Sequence, residues 1–311
     1  MTVHRITYLY CLAWIYLWTT ASVVSAIDVP RDGYNEAFFQ EHLQNAPIYP
    51  ILVKVMGSIV VNEFPSFSSI LDVGCGHGLL VEAWRSVGVQ NSHGIEGSNA
   101  AASMWPEQYK NEFYQIQDLT DFESARKAIP QTDVVTTFEV GEHLPEEIAD
   151  SFVQLLVLHR PSWVFFGAAT VFQDRGKNPS HVNENQFRYW IDKFQQQSYA
   201  PDLVATATVR HLLIQDQTFR KHLTQAWWYP KNVWVFVEVG ADGGAKQKSI
   251  DKKLIDHPSS KNMLDQRYLS LFGDSEFGQM WRRDWTEFGT IFYEEQLEAR
   301  KRLALVGPGE L

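Results

Sequence analysis

Between residues 69 and 170 the chain alternates short apolar runs with longer stretches in which apolar positions recur every three or four residues. The short runs read as strands and the longer stretches as helices. Their regular alternation predicts a parallel sheet with helical crossovers, an α/β fold. The run "SWVFFGAAT" (162–170) is apolar almost throughout, as a strand buried on both faces should be. Upstream, Phe38, Phe39, Leu43, Ile51, Val55 and Ile59 fall at helical spacings across residues 34–62, and Pro47 and Pro50 split that stretch into two helices. Downstream, "HVNENQFRYWIDKFQQQSY" (181–199) offers Asn183 or Asn185 as the cap of a helix with Phe187, Trp190, Ile191 and Phe194 on one face. "DLVATATVRHLL" (202–213) and "WWYPKNVWVFVEV" (227–239) are expected to supply the last two strands.

The two ends differ from this middle. "MTVHR" is followed by "ITYLYCLAWIYLWTTASVVSA" without a charge, closing on small residues suited to cleavage after Ala26. The run is long for a signal-peptide core and nearly long enough to span a bilayer, so residues 1–26 read as a signal peptide or a signal anchor. Either reading puts the domain in the secretory route, secreted or anchored on the non-cytoplasmic side, and limits membrane contact to an uncleaved leader. After residue 240 a Gly- and Lys-rich linker, "GADGGAKQKSIDKK", leads to an amphipathic helical stretch over 274–303, weakened at Gly278 and Gly289. The expected organisation is therefore leader 1–26, α/β domain 27–240, and linker with C-terminal helical extension 241–311.

Composition narrows the partners. A formal net charge of −10 over 311 residues argues against a nucleic-acid partner, which would call for a basic face, and favours a small-molecule acceptor. Of the two cysteines, Cys11 lies in the leader and Cys75 in a glycine turn, so the chain without its leader can form no internal disulfide. Asn178-Pro179-Ser180 is disqualified as a glycosylation sequon by its proline.

The candidate chemistry begins at "SILDVGCGHGLL" (69–80), a strand that runs into Gly74-Cys75-Gly76-His77-Gly78. Glycine-rich turns after a strand let backbone approach a ligand, because no Cβ intervenes. The spacing is not that of a phosphate loop, which needs a following Lys and Ser/Thr. Nor is it that of a dinucleotide fingerprint, whose third glycine would stand at Leu79. Asp72 before the turn suits a cation better than a pyrophosphate. S-adenosylmethionine (SAM), with its ammonium and sulfonium and no phosphate, fits that combination.

"ILDVGCGHG" resembles the first motif of class I SAM-dependent methyltransferases, and later segments follow in that family's order across residues 34–240. "SHGIEGS" (92–98) resembles the second strand, ending in Glu96 and Gly97. Glu96 stands 24 residues after Asp72, near the spacing at which an acid meets ribose hydroxyls. "FYQIQDLTDF" (113–122) resembles the third-strand segment, whose Asp118 and Leu119 would border the adenine. The resemblance implies a doubly wound, mostly parallel seven-stranded sheet whose last two strands pair antiparallel, with N-terminal helices over the SAM site. It implies SAM contacts from Asp72, Gly74, Cys75, Gly76, Gly78, Glu96, Gly97, Asp118, Leu119 and Glu139.

"TDVVTTFEVGEHLPEE" (132–147) resembles the fourth-strand segment, and its E-x-x-E-H group is similar to that of ubiquinone-pathway O-methyltransferases and small-RNA 2′-O-methyltransferases. There, two glutamates and a histidine hold a divalent metal, with a further histidine from a downstream loop in the RNA enzymes. The resemblance implies Glu139, Glu142, His143 and His181 as ligands. Mixed carboxylate and imidazole donors suit Mn²⁺, Fe²⁺ or Zn²⁺ better than Mg²⁺. Without a metal, His143 or His181 would serve as general base beside Glu142, since imidazole titrates near neutral pH. O-methylation of a small or sugar-containing acceptor is expected. The rival readings are another SAM-fold transferase, such as an aminopropyl transferase, and a catalytically silent binding protein on the same fold.

Overall fold

Five strands, β1 (Ser69–Val73), β2 (Asn91–Glu96), β3 (Tyr114–Ile116), β4 (Val134–Phe138) and β5 (Trp163–Gly167), run parallel. Between them lie α3 (Leu79–Ser86), α4 (Asn99–Ala102), α5 (Phe122–Ala128) and α6 (Ala149–Leu156), one to each crossover. With β6 (Tyr199–Pro201) and β7 (Trp234–Glu238) they form a seven-stranded sheet in the order β3-β2-β1-β4-β5-β7-β6, in which β7 is antiparallel to both neighbours. The expected doubly wound architecture is present. This computed structural model describes residues 34–239, apart from 64–66, 109, 111, 171–172, 174–177 and 186. The leader (1–26), the linker and the stretch 274–303 lie outside the described residues. Among those that are described, no helix is long and apolar enough to cross a membrane.

The N-terminal helices follow the proline positions. Asn35 caps α1 (Glu36–His42) by accepting from Phe38 N, and Pro47 falls in a 3-10 turn (Leu43–Ile48) that separates α1 from α2 (Tyr49–Glu63). The sheet is buried on both faces, as the apolar strands require. Ile70 of β1 joins a core with Leu52, Met56, Trp84 and Val209, whereas its neighbour Leu71 joins the opposite core with Phe152, Val153 and Phe194. α7 (Phe187–Gln196) buries Trp190, Ile191 and Phe194, and Phe194 stacks on Phe236 of β7 with ring centroids 3.8 Å apart.

One expectation fails. The stretch 202–213 is not a strand but the start of α8 (Leu203–Gln215), and the strand antiparallel to β7 is the shorter β6 before it. The Val-Ala-Thr alternation mimics a strand, yet Ala205, Val209 and Leu213 are buried at intervals of four. Asp202 caps the helix by accepting from Ala205 N at 2.8 Å. On the face toward β7, Thr206 accepts from Val235 N at 3.0 Å, and buried Arg210 donates Nε and Nη2 to the Val233 carbonyl. Cap and tertiary contacts outweigh β propensity here. The Trp-rich stretch divides likewise into α9 (Trp228–Asn232) and β7.

Candidate active site

The strand order places β4 beside β1, so successive strands spread in opposite directions from that pair. In open α/β sheets a ligand crevice forms at such a point, outside the carboxyl ends of the strands. The glycine turn follows β1 and the E-x-x-E-H loop follows β4. Gly74 has φ 74°, and a Cβ there would lie 2.4 Å from Val140 Cγ2, so the absent side chain lets the two loops pack together. Gly78, at φ 81°, opens α3 where a Cβ would strike the Tyr114 ring at 2.6 Å.

Glu96 organises the turn from the end of β2. One carboxylate oxygen accepts from Gly76 N and the other from Ser98 N, each at 2.8 Å. Burial pushes its pKa up, against the backbone donors that favour the charge. Trp105 Nε1 donates to the Gly76 carbonyl at 2.8 Å. Asp72 lies inside β1 rather than at the rim, 5% exposed, and accepts from Thr136 Oγ1 at 2.6 Å. Burial pushes its carboxyl up to about 7, and nearby Glu96 adds to the rise. The expected ribose contact therefore has a second duty, since Glu96→Ala would leave two N–H groups without their acceptor. A charge-assisted bond is worth roughly 1.5–3 kcal/mol, so the SAM dissociation constant of Glu96→Ala should rise about 10- to 150-fold. Its melting temperature should fall as well. Calorimetry on a folded mutant checks this, and an unchanged dissociation constant removes Glu96 from the site.

Asp118 follows β3 and closes a turn on itself, accepting from Thr120 N at 2.9 Å and Thr120 Oγ1 at 2.7 Å, beside buried Leu119. Gly97 follows Glu96 directly, and a Cβ on it would reach the Gln117 carbonyl at 3.6 Å. Cys75 is buried with its thiol pKa raised by that burial, and its Sγ fills the space over Gly94.

At the end of β4 the backbone bends through Glu139, which has φ 57°. Left-handed backbone at a non-glycine residue is uncommon and concentrates at functional sites. The Glu139 carboxylate accepts from Gln173 Nε2 at 2.5 Å and Asn232 Nδ2 at 2.8 Å. Glu142, in the 3-10 turn Gly141–His143, is fully buried against the Glu139 carboxylate and the Ala169 backbone, and among the described residues neither of its carboxylate oxygens makes a hydrogen bond of normal geometry. Burial, then the charge of Glu139, raises its pKa well above the usual range. A buried carboxylate in this state calls for a proton or a cation.

His143 and His181 meet beside it, ring centroids 4.7 Å apart. Ligand atoms of Glu142, His143 and His181 all lie within 4.8 Å of one another. These three are brought together as expected, while the Glu139 carboxylate is held by Gln173 and Asn232. His181 Nδ1 is 2.7 Å from Glu184 Oε1. His143 Nδ1 is met by the Tyr34 hydroxyl and by Ser180, whose carbonyl stands at 3.1 Å. Tyr34, Gln173, Ser180 and Asn232 are site residues that the sequence reading missed. Tyr34 is 109 positions from His143, and no local pattern joins them.

Residues 40–168 match the family model described as a methyltransferase domain. Over 101 residues the chain is 34% identical to the ubiquinone biosynthesis O-methyltransferase of Thiobacillus denitrificans, a match covering 31% of this chain and 42% of that relative. The chain thus spans less than half the length of that curated relative. Solved structures of similar fold include the magnesium protoporphyrin IX methyltransferase of Synechocystis PCC 6803 with bound SAM (14% identity, 53% of this chain and 74% of that one, TM-score 0.38). Another is the plantazolicin methyltransferase in complex with a triazolic desmethylPZN analog and SAH (12% identity, 65% and 89%, TM-score 0.47).

Proposed function

We propose that the chain, whose residues 40–168 match a methyltransferase-domain model, is a class I SAM-dependent methyltransferase that moves the SAM methyl group to a hydroxyl of a small or sugar-containing acceptor. The observation that carries the reading is the convergence of two loops on one crevice. The glycine turn, closed by Glu96, suits the nucleoside. The Glu142–His143–His181 cluster supplies acceptor chemistry beside it.

When bound, SAM offers a methyl on a sulfonium, which an oxygen displaces in line. Glu96 accepts from the ribose hydroxyls, and Asp72 puts a carboxyl beneath the positively charged end. Leu119 and Asp118 border the base.

The cluster fits a divalent cation, because Glu142 is buried beside two imidazoles with neither carboxylate oxygen in a hydrogen bond of normal geometry among the described residues. Glu142, His143 and His181 would hold it, and Glu139 would add negative charge from behind. A divalent metal supplies Lewis acidity that lowers the pKa of an acceptor hydroxyl. Without metal, His143 or His181 takes the hydroxyl proton at a ring nitrogen, which keeps the imidazole reading alive.

Mass spectrometry of a metabolite extract incubated with the protein and methyl-labelled SAM tests the activity. A labelled methyl ether in the small-molecule fraction is the expected product. Label found only in added RNA reassigns the acceptor, and no label in either fraction speaks against transfer.

A further inference from the structure

The hydrogen bonds around His143 form a chain whose direction is fixed at one end. Asn178 places one side-chain atom 3.1 Å from Ser180 N and 2.5 Å from Ser180 Oγ. A backbone N–H can only donate, so that atom is the amide oxygen. An oxygen in that place accepts, so the Ser180 hydroxyl spends its one proton on Asn178. The Tyr34 hydroxyl, 2.9 Å from Ser180 Oγ, then donates to Ser180. An ordinary phenol, with a pKa of about 10, keeps that proton at neutral pH. Having no second proton, the Tyr34 oxygen faces His143 Nδ1 as an acceptor. The Ser180 carbonyl, also next to Nδ1, accepts without exception. The Ser180 hydroxyl oxygen lies 3.2 Å from Nδ1 as well and, with its proton on Asn178, accepts there too. A bare Nδ1 would set its lone pair against all three oxygens.

We propose that Tyr34 is a positioning residue, and that the chain Asn178–Ser180–Tyr34 locks His143 with its proton on Nδ1 and its lone pair on Nε2. The same pattern recurs at His181, where Glu184 Oε1 accepts at Nδ1. Both imidazoles then present Nε2 lone pairs, the form that either a metal ligand or a proton acceptor needs. The inference rests on the reading of this cluster as the acceptor site, yet the tautomer itself can be read without SAM, acceptor or metal. It also gives the segment before α1 a defined role, since residue 34 completes the shell around a histidine on the far side of the sequence.

Long-range ¹H–¹⁵N correlation on the full chain labelled at histidine, at pH 8 with no metal added, reads the tautomer, with His143 assigned by comparison with His143→Gln. The expected spectrum has protonated Nδ1 and a bare Nε2 on His143. Tyr34→Phe removes one of the three acceptors at Nδ1, so the share of His143 protonated on Nε2 should rise while the fold is kept. Zn²⁺ used alone as the probe should bind roughly 10- to 100-fold more weakly to Tyr34→Phe, the usual cost of losing an outer-shell partner. If Tyr34→Phe does not fold, Asn178→Ala leaves Tyr34 in place, frees the Ser180 proton and should give the same rise. A parent His143 protonated on Nε2 overturns the inference. So does an unchanged tautomer in the folded variant. Absence of methyl transfer with the expected tautomer present would count against the enzymatic reading alone.

Discussion

His143→Ala and His181→Ala should each lose on the order of 10²–10⁴ in turnover, the range for removing a group that handles the acceptor proton. SAM affinity should stay within a few-fold of the parent in both. The two histidines sit on the loops after β4 and β5, and the proposed nucleoside contacts lie at the ends of β1, β2 and β3. Metal and base versions separate cleanly. If the cluster holds a divalent ion, each mutant loses bound metal, Glu142→Gln does the same, and chelation abolishes activity in the parent. If an imidazole acts alone, chelator has no effect and the rate rises through an apparent pKa near neutrality. Full activity in both alanine mutants contradicts the two versions together.

Asp72→Asn should stabilise the protein and weaken SAM binding. The Asp72 carboxyl has its pKa pushed up to about 7 in the fold, from 3.8. Between those values the folded chain binds a proton that the unfolded chain releases. The stability tied to this group therefore falls as pH rises from about 4 to 7, and the full cost stands above 7. A rise of this size corresponds to about 4 kcal/mol as an upper figure. Asparagine keeps an oxygen for Thr136 Oγ1 and carries no charge. At pH 8 its urea midpoint should lie above that of the parent, and the two midpoints should converge near pH 4. His77, pushed down to about 4 by burial with His42 adding to the fall, has the opposite slope. Its protonation costs stability as pH falls from 6.5 toward 4. That slope is common to both proteins and drops out of the difference. If Asp72 lies beneath the cationic end of SAM as proposed, losing its carboxylate should weaken binding at pH 8 by roughly 10- to 150-fold, the worth of a charge-assisted contact. Equal midpoints at pH 8 would contradict the buried, ionised Asp72.

What the sequence shows well are features with a short period or a fixed spacing. The strand-to-glycine turn after β1, the acid closing β2 and the E-x-x-E-H loop each occupy a handful of consecutive residues, and the strand order brings them to one end of the sheet. The strand assignment of 202–213 fails because Val, Ala and Thr alternate there, whereas the deciding interactions, the Asp202 cap and Arg210 on the Val233 carbonyl, depend on the folded context. The environment of the acids was hidden for the same reason. Asp118 is satisfied within its own turn, and Asn232 reaches Glu139 across 93 positions. Tyr34 sits in "DGYNEAFF", which carries no mark of its contact with His143.

The most direct test of a SAM-dependent enzyme is a calorimetric titration of the full chain with SAM. Saturable binding of one SAM per chain is expected, weakened in Glu96→Ala and retained in His143→Ala. A flat titration of the folded parent would contradict a SAM site at the carboxyl end of β1.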